Sequence, residues 1–390
     1  MLINLRNALM TGKRLPYDAE LEYLEGTGTQ WIDTGVYGNQ DTKIELAISI
    51  TSFIQTNYSS VFGNYNSSSD SISIFAGRIS GSATTRFGNA STNSLVLSAA
   101  TRYDIVVDKN GVSYNDSTIQ WSPSNTFTTN GTLIAFGRNV TTYGLFIGKV
   151  YYCKIYAGSI LVRDFIPVRK GTVGYLYDRV TRKLFGNAGT GDFVLGPDVV
   201  PVEYLESHGT EYIDTGIDAQ SCEIRCDFDL GSVNLYETVF GVQSPANNFL
   251  EVRRYANNTS SLQVVARNLT TTVAFQSGQN SLVGTWDSSG CYGTLNGTVF
   301  SISSGAVIGS AGYHIFLFAA NQDKSPAYYM SGKIYSFEMA NNGTPFYKPV
   351  PVRVGTEGAM MDVLTRRIYR NAGTGAFGYG NDLKYPIPAE

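Results

Sequence analysis

The strongest constraint on how this chain can fold is an internal repeat. The segment at 21–36, LEYLEGTGTQWIDTGV, returns at 202–217 as VEYLESHGTEYIDTGI. Two shorter motifs near the ends of the copies also recur: IPVR at 166–169 as VPVR at 350–353, and NAGTG at 187–191 and again at 371–375. A repeat of roughly 180 residues is the size of a whole domain, so it indicates a duplicated domain rather than a solenoid.

The repeat predicts how the chain is divided. We place module 1 at 16–195 and module 2 at 200–379, joined by only a few residues. An N-terminal docking segment at 1–15 precedes them, and a C-terminal tail at 380–390 follows.

Each module has the sequence pattern of short strands. Residues 43–48, KIELAI, alternate polar and apolar side chains, which is the period of a half-buried strand. Tyrosine (26) and phenylalanine (20) are abundant and favour strands, and the 41 glycines mark turns between them. We therefore predict an all-β chain of two tandem sandwiches, each of two antiparallel sheets. Only the first dozen residues show a helical apolar face, so segment 1–15 is expected to be helical or extended.

Charge, hydropathy and cysteine usage exclude several classes of protein. The net charge is −3 without a block of like charge, so we expect no nucleic-acid partner. No apolar run approaches the ~18 residues of a membrane span. Residues 1–15 lack the apolar core of a secretory signal. The four cysteines do not recur between the copies, which predicts free, buried thiols and folding in a reducing cytoplasm.

The repeated motifs resemble those of a known family. The opening Tyr-Leu-Glu-x-x-Gly-Thr-x-aromatic-Ile-Asp-Thr-Gly and the closing Asn-Ala-Gly-Thr-Gly are similar to those of concanavalin A-like (laminin G-like) jelly-roll modules of gut bacteria and their phages. The resemblance covers nearly the whole chain, twice, and implies two tandem jelly-roll β-sandwiches. The lead-in at 6–19 looks like the start of phage-encoded versions. This fold carries lectins, glucanases, adhesins and virion parts, so the resemblance predicts architecture rather than activity.

The repeated polar residues also have structural interpretations. Asp33 is expected to bond backbone amides at a tight turn that Gly35 permits, and Asp214 to do the same beside Gly216. The motif at 187–191 is expected to form a hairpin turn. Trp31 and Tyr212 each follow a polar residue, and this alternation predicts that the two rings pack in the core. A sugar-stacking platform is the alternative.

A search for catalytic residues finds little. Glucanases of this fold present two glutamates on one strand in a Glu-x-Asp-x-x-Glu pattern, with carboxylates ~5 Å apart in retaining enzymes. Glu45 stands alone in module 1, and Glu223, Asp227 and Asp229 of module 2 lack both the pattern and counterparts. We therefore expect no catalytic residue.

The sequence signals for a metal or cofactor site are equally weak. His208 and His314 do not recur, so neither a histidine triad nor a zinc site is predicted. No glycine-rich loop leads into a helix, which argues against a nucleotide. We expect no cofactor and no metal, with one structural calcium left open.

Binding residues are expected on rim loops, where aromatic, amide and cationic groups hold sugars. The ligand-binding candidates are Arg138, Asn139 and Tyr143 in module 1, and Asn321, Lys324 and Tyr328 in module 2. Four further arginines are expected on an outward sheet face: Arg78, Arg86, Arg253 and Arg254.

Together these features favour a non-enzymatic component of a phage particle, such as a fibre, decoration or adhesin protein. Its partners would be other virion proteins, bound through residues 1–15, and a host-surface glycan. We expect a homo-oligomer on the virion surface, after folding in the host cytoplasm. The alternative is a carbohydrate-binding or adhesion protein of the bacterial cell surface, and a remote third reading is a glycoside hydrolase.

Overall fold

The computed structural model of the chain describes most of the sequence as strands and turns. The described residues are 15–53, 59–76, 83–115, 117–138, 144–231, 236–244, 249–255, 260–303 and 309–383. Within these ranges no helix occurs, which confirms the all-β prediction. The segment predicted to be helical or extended, 1–15, lies outside the described residues except for Leu15.

Contacts divide the chain into two compact units, unit 1 (Met1–Asp198) and unit 2 (Val199–Glu390). The strands of unit 1 are β1 Ala19–Leu21, β2 Leu24–Thr27, β3 Ile32–Asn39, β4 Thr42–Ile50, β5 Ser59–Tyr65, β6 Ser71–Ala76, β7 Ala83–Phe87, β8 Ala90–Leu95, β9 Arg102–Asp108, β10 Gly111–Tyr114, β11 Ser117–Gln120, β12 Thr128–Ala135, β13 Gly144–Leu145, β14 Ile147–Ala157, β15 Ile160–Lys170, β16 Val173–Asp178, β17 Lys183–Phe185 and β18 Val194–Leu195.

Unit 2 continues from β19, which begins at the last residue of unit 1. Its strands are β19 Asp198–Pro201, β20 Leu205–His208, β21 Ile213–Gln220, β22 Cys222–Leu230, β23 Tyr236–Gln243, β24 Leu250–Tyr255, β25 Ser261–Ala266, β26 Leu269–Ala274, β27 Asn280–Asp287, β28 Gly290–Leu295, β29 Thr298–Ser303, β30 Gly309–Leu317, β31 Ala320–Gln322, β32 Ser325–Ala327, β33 Ser331–Asn341, β34 Thr344–Tyr347, β35 Pro349–Val354, β36 Glu357–Asp362, β37 Ile368–Tyr369 and β38 Gly378–Tyr379.

Unit 1 is a sandwich of two sheets. One has the order β11-β10-β9-β4-β14-β15-β1, with β2 on β14, β18 on β2, and β16 and β17 following β15. The other has the order β3-β12-β5-β6-β7-β8, with β13 added in parallel to β5. In β4 the alternating Ile44, Leu46 and Ile48 are at most 1% exposed and join the core between the sheets. This is the alternation that predicted the strand.

Unit 2 repeats the main strand order of both sheets, and its β35 pairs with β19 and β36, with β37 following β36. One sheet has the order β29-β28-β27-β22-β33-β20-β38, with β34 on β33, and the facing sheet has the order β21-β30-β23-β24-β25-β26. The β31–β32 hairpin adds to the second sheet through β23. Phe240, Trp286 and Phe337 fill the core between them, each at most 1% exposed. The described strands therefore confirm two antiparallel β-sandwiches of the predicted jelly-roll type.

The repeated Asp-Thr-Gly segment forms an irregularity inside a strand in both units. Asp33 accepts the amide of Gly35 at 2.8 Å, and Asp214 accepts that of Gly216 at 2.8 Å. Both glycines have positive φ, +67° and +66°, a conformation that glycine adopts without steric cost. The pairing of β3 with β12 shifts register after Asp33. The predicted hydrogen bond is thus confirmed, but it supports a bulge within β3 rather than a turn after a strand.

The opening and closing motifs repeat together because they bind each other. The Asn187 side chain accepts the backbone amides of Trp31 (3.1 Å) and Gly189 (2.9 Å). The amide of Thr190 then donates to the carbonyl of Thr29 at 3.0 Å. In unit 2, Asn371 makes the corresponding bonds to Tyr212 and Gly373, and Thr374 to Thr210.

The residues before the two aromatic side chains, not the aromatic rings, point inward. Gln30 is 1% exposed and Glu211 2%, whereas Trp31 and Tyr212 are half-buried and lie outside the core clusters. The prediction that the rings pack in the core was therefore wrong. The physical reason is that the preceding turn leaves buried amides that need an acceptor, and the Gln30 side chain accepts the Thr27 amide at 2.8 Å.

In unit 2 the Glu211 carboxylate accepts hydrogen bonds from the corresponding turn, as the Gln30 amide does in unit 1. It accepts the amides of His208 (2.8 Å) and Thr210 (3.3 Å) and the hydroxyl of Ser207 (3.1 Å). Burial by itself would raise the pKa of Glu211, but these hydrogen bonds outweigh it and lower the pKa below its ordinary value. Unit 2 thus carries a buried negative charge where unit 1 has a neutral amide.

The end of each copy is fixed by a matching ion pair. Arg169 binds Asp198 through two nitrogens at 2.7 and 2.6 Å, and Arg353 binds Asp382 through two nitrogens at the same distances. Next to each ion pair the chain is also held by a backbone hydrogen bond. The Gly196 amide donates to the Tyr23 carbonyl, and the Leu383 amide donates to the Pro201 carbonyl. Residues 196–198 and 380–383 thus belong to the folded units.

All four cysteines are buried and free, as predicted. Cys222 and Cys226 lie on the inward face of β22, and Cys153 and Cys291 are 0% exposed. Burial raises the pKa of each thiol, in the case of Cys222 to about 12.

Candidate functional site

The outer face of the β23–β24–β25 sheet in unit 2 carries an unusual set of polar and aromatic side chains. On β24, Leu250 and Val252 point into the core, so Glu251, Arg253 and Tyr255 point outward. The register places Gly241 of β23 opposite Glu251. Because glycine has no side chain, the stem of Glu251 can lie directly against the backbone of β23, where a β-carbon on Gly241 would be 2.8 Å from Glu251 Cβ.

The Glu251 carboxylate organises this face although it is 0% exposed. It accepts the Thr238 hydroxyl at 2.6 Å, the Gln243 amide at 2.8 Å and Arg253 Nη1 at 3.0 Å. Burial raises the pKa of Glu251, and the positive charge of Arg253 opposes that shift. A buried acid held by three donors is a rigid anchor for the groups around it.

Arg253 is held by three neighbouring side chains. Besides Glu251 it donates from Nε to the Gln263 side chain at 3.1 Å, and its guanidinium lies 5.1 Å from the Tyr255 ring centroid. This arginine has therefore lost its conformational freedom before any ligand arrives, which removes part of the entropic cost of binding.

Three tyrosines line a depression beside this arginine with their rings partly exposed: Tyr236 is 40% exposed, Tyr255 42% and Tyr328 37%. The Tyr236 ring lies 4.9 Å from that of Tyr255, edge to face, and 5.8 Å from that of Tyr328. The Tyr328 carbonyl accepts the Thr238 amide at 2.8 Å, which fixes the third ring to β23. We call the depression between them the tyrosine cleft. It is a shallow depression lined by Tyr236, Glu237, Thr238, Arg253, Arg254, Tyr255 and Tyr328.

Arg254 points to the opposite side of β24 from Arg253, although part of it borders the tyrosine cleft. It shares the inward face of β24 with Val252, is 2% exposed, and forms a buried ion pair with Glu237. Glu237 also accepts the Ser331 amide at 3.0 Å. The prediction that Arg254 lies on an outward face was therefore wrong, because the strand alternation puts it beside Leu250 and Val252. Arg253 is on the outward face, as predicted.

The three candidates predicted for unit 2 occupy different surroundings. Tyr328 lines the tyrosine cleft. Asn321 is 2% exposed and donates to the His314 carbonyl at 2.8 Å, so its amide joins β31 to β30 and does not face the tyrosine cleft. Lys324 sits at the hairpin turn, 5.0 Å from the Tyr313 ring centroid. Only one of the three thus reaches the cleft.

The corresponding sheet of unit 1 packs differently, and Arg138, predicted on a rim loop, is only 7% exposed because its guanidinium lies over two aromatic rings. Arg138 lies 4.8 Å from the ring centroid of Tyr65 and 4.6 Å from that of Phe75. Arg86 lies 5.7 Å from the same Tyr65 ring. The register pairs Arg86 with Ser73, which occupies the position of Glu251 because Ser73 faces Gly63 as Glu251 faces Gly241. The other candidates of this unit, Asn139 and Tyr143, and also Arg78, lie outside the described residues.

Sequence reasoning missed Tyr236, Tyr255 and Glu251. The segment EVRRY at 251–255 alternates polar or aromatic with buried residues, and this outward-facing glutamate, arginine and tyrosine were a readable signal. What could not be read was the partner strand, since the approach of Tyr236 to Tyr255 depends on the β23–β24 register.

The acids considered for catalysis are engaged in the opposite sheet. Glu223 accepts the Gly343 amide at 2.9 Å, and Asp227 accepts the Ser336 hydroxyl at 2.9 Å. Glu45 pairs with Lys43 at 2.5 Å. His314 bonds Asp214 at 2.9 Å from Nδ1. Among the described residues no group of three or more His, Cys, Asp or Glu side chains is placed to hold a metal ion. In the same part of the chain no helix is long and apolar enough to cross a membrane.

Comparison with known proteins gives structural likenesses only. No protein-family model matches the sequence, and no curated protein is significantly similar. Among solved structures, a Bacteroides ovatus protein described as carbohydrate-binding aligns over 93% of this chain and 95% of its own, at 9% identity and TM-score 0.36. Domains LG4-5 of the mouse laminin alpha1 chain align over 97% of both chains, at 9% identity and TM-score 0.32. The CBM40 module of a Ruminococcus gnavus IT-sialidase, bound to α2,3-sialyllactose, covers 35% of this chain and 89% of its own, at 14% identity and TM-score 0.29.

These neighbours are laminin G and carbohydrate-binding domains, the kind of module that the repeated motifs resemble. At such TM-scores the likeness says nothing about a ligand of this chain. The origin in gut bacteria or phages stays a prediction.

Proposed function

We propose that this protein is a non-enzymatic glycan-binding or adhesion protein and that the tyrosine cleft of unit 2 is its binding site. The observation that carries the proposal is the set of three partly exposed tyrosine rings that line one cleft with a hydrogen-bonded arginine. The apolar faces of a pyranose ring stack on such rings, while its hydroxyls accept hydrogen bonds from the guanidinium. Convergent polar groups in a largely preformed cleft are typical of small-ligand sites.

A glycan array followed by calorimetry on the best ligand tests this site. Tyr255→Ala and Tyr328→Ala should each weaken binding about three- to tenfold, the value of one ring contact. Tyr292→Ala is the matched control, because Tyr292 is 49% exposed in the same unit but lies on β28 of the opposite sheet. Unchanged glycan affinity in both cleft variants would show that the tyrosine cleft is not the binding site. An array without any bound glycan would reject the function.

The setting we propose for this binding is the surface of a phage particle, with residues 1–15 docking onto other virion proteins and the chain assembled as a homo-oligomer. What supports it is the phage-like lead-in at 6–19. Mass spectrometry of purified particles should detect the chain, and deletion of residues 2–15 should remove it from them. Light scattering of the purified protein would test the oligomer.

The alternative setting is the bacterial cell surface. Detection of the chain in the cell envelope, without any in particles, would favour it. Release of sugar from a polysaccharide by the purified protein would overturn the non-enzymatic proposal in either setting.

A further inference from the structure

One side of the unit 2 sandwich is almost free of charged residues. It is formed by β26 and β29, the last strands of the two facing sheets, which pack against each other. The segment from β26 to β29, 269–303, contains one charged side chain, Asp287. The corresponding segment of unit 1 from β8 to β11, 90–120, contains five: Arg102, Asp104, Asp108, Lys109 and Asp116. The low charge is therefore particular to unit 2 and not a property of the fold.

β29 forms an open edge of its sheet. Among the described strands it pairs with β28 alone, so its other side has no strand partner there. A two-residue turn, 296–297, with φ angles of +50° and +82°, joins β28 to β29. In such a hairpin the two residues that flank the turn, Leu295 and Thr298, exchange hydrogen bonds. The alternate residues of β29 therefore direct their backbone N–H and C=O groups to the open side: Val299, Ser301 and Ser303.

This edge lacks the features that usually prevent edge strands from pairing with another chain. Proteins normally protect an open edge with charged side chains, proline or a bulge. The sequence of β29, TVFSIS, has no charge and no proline, and its register to β28 is unbroken. Val299 is 76% exposed, and Leu269 on neighbouring β26 is 42% exposed. Exposed apolar side chains in a surface depleted of charge are typical of the centre of a protein interface.

The partner that best fits this edge is a second copy of the same strand. A two-fold axis through Ser301 places this residue opposite its own copy and places Val299 opposite Ser303 of the second chain. A charged side chain at the axis would meet the same charge, so two-fold pairing requires an uncharged strand such as β29. The outward backbone groups of both copies would form about six hydrogen bonds across the edge.

From these observations we infer that the chain forms a two-fold dimer, in which β29 pairs antiparallel with β29 of a second copy and joins the two sheets into one. The inference rests on the homo-oligomer proposed above, for which it names the surface. It does not depend on glycan binding, since β23 and β24 of the tyrosine cleft belong to the facing sheet. Because the contact is uncharged, the dimer dissociation constant should change little with salt.

Sedimentation velocity of the full chain at low and high salt tests the dimer. Ser301→Lys places two like charges at the axis and should raise the dimer dissociation constant at least about a hundredfold. Ser301→Pro removes an N–H that points to the open edge, so it should weaken the dimer and leave the fold intact, as followed by circular dichroism. Ser281→Lys is the matched control, because Ser281 is exposed on β27 in the interior of the same sheet.

A cysteine pair tests the register of the two strands. The axis through Ser301 predicts a separation of about 5.5 Å between the Cα atoms of this residue in the two copies, which a disulfide can bridge. Ser301→Cys should therefore form a disulfide-linked dimer with oxidised glutathione, whereas Ser281→Cys should run as a monomer in a denaturing gel. The four native cysteines are buried, so they should not contribute.

A wild type that is monomeric even at high micromolar concentration would overturn the inference. So would a dimer that survives both Ser301→Lys and Ser301→Pro, or one that Ser281→Lys weakens to the same extent. A dimer that depends on Ser301 in a protein without glycan binding would support the inference and reject the tyrosine cleft alone. A monomer that binds glycan through the cleft would reject the dimer and keep the proposed binding site.

Discussion

Two glycines show how tightly the repeated motifs fit together. A β-carbon on Gly189 would lie 2.1 Å from the carbonyl oxygen of Thr29, and one on Gly373 would lie 2.1 Å from that of Thr210. Both neighbours are backbone atoms, which cannot rotate away as a side chain would. The repeat of NAGTG thus reflects a backbone contact in which only glycine fits.

We predict that Gly189→Ala destabilises unit 1 by about 1–3 kcal/mol, the usual cost of forced overpacking. Urea unfolding followed by circular dichroism measures it. Gly186→Ala is the control, since a β-carbon there meets first the Tyr175 ring, at 3.3 Å, and a ring can shift. If Gly189→Ala and Gly186→Ala lower the free energy of unfolding equally, the backbone at the contact between the motifs can shift to accommodate a β-carbon.

The Glu211 charge predicts a pH dependence confined to unit 2. Because the folded-state pKa of Glu211 lies below its ordinary value of 4.5, its contribution to stability is present above that value and is lost as the pH falls through the folded pKa. Glu211→Gln, which installs the residue of unit 1, should therefore flatten the fall in urea midpoint between pH 7 and about pH 3.5.

Glu206→Gln controls for the change in net charge, because Glu206 lies on neighbouring β20 with a more exposed carboxylate. The same flattening in both variants would show that overall charge, and not the buried carboxylate, sets the dependence.

At this scale the sequence predicted the Asp33–Gly35 bond but placed Trp31 and Gln30 on the wrong sides. The aspartate bond is local, two residues long, and follows from turn chemistry alone. Gln30 is buried because its amide also donates to the Asp192 carbonyl, 162 residues away. A period-two pattern contains no information about such a distant partner.

Strands were well predicted where one face is apolar. In β22 the inward residues Cys222, Ile224 and Cys226 alternate with the outward Glu223 and Asp227, as the pattern required. The tyrosine cleft was found only through Tyr328, because it depends on the pairing of two strands and on the position of the β31–β32 hairpin. Pairing partners are set by non-local contacts, which alternation in one segment does not reveal.

The inward face of β22 makes a prediction for its thiols. Cys222 and Cys226 are 4% and 1% exposed, and burial raises the pKa of both above the ordinary value, so little thiolate forms near neutral pH. Maleimide should label all four cysteines of the native protein more than a hundredfold more slowly than in denaturant, as followed by intact mass. Rapid labelling of either β22 thiol in the native state would contradict the placement of this strand.

For the whole molecule, the duplication was the most informative feature of the sequence, and the strand order explains why. The order β3-β12-β5-β6-β7-β8 in unit 1 corresponds to β21-β30-β23-β24-β25-β26 in unit 2. The framework is repeated because each copy closes its own sandwich. The outward face of this shared sheet differs, with Ser73 in one unit and Glu251 in the other.

Because each unit has its own core, a substitution that destabilises one unit should leave the stability of the other unchanged. Phe62 and its counterpart Phe240 are 1% and 0% exposed in separate clusters, and replacing a buried phenylalanine by alanine costs about 3–5 kcal/mol. In a Trp31→Phe/Trp121→Phe background, Trp286 is the remaining tryptophan and reports unit 2 alone. Phe240→Ala should lower the urea midpoint of its fluorescence, and Phe62→Ala should leave that midpoint unchanged. If Phe62→Ala lowers it equally, the two cores unfold as one cooperative body and the units are not independent folding domains.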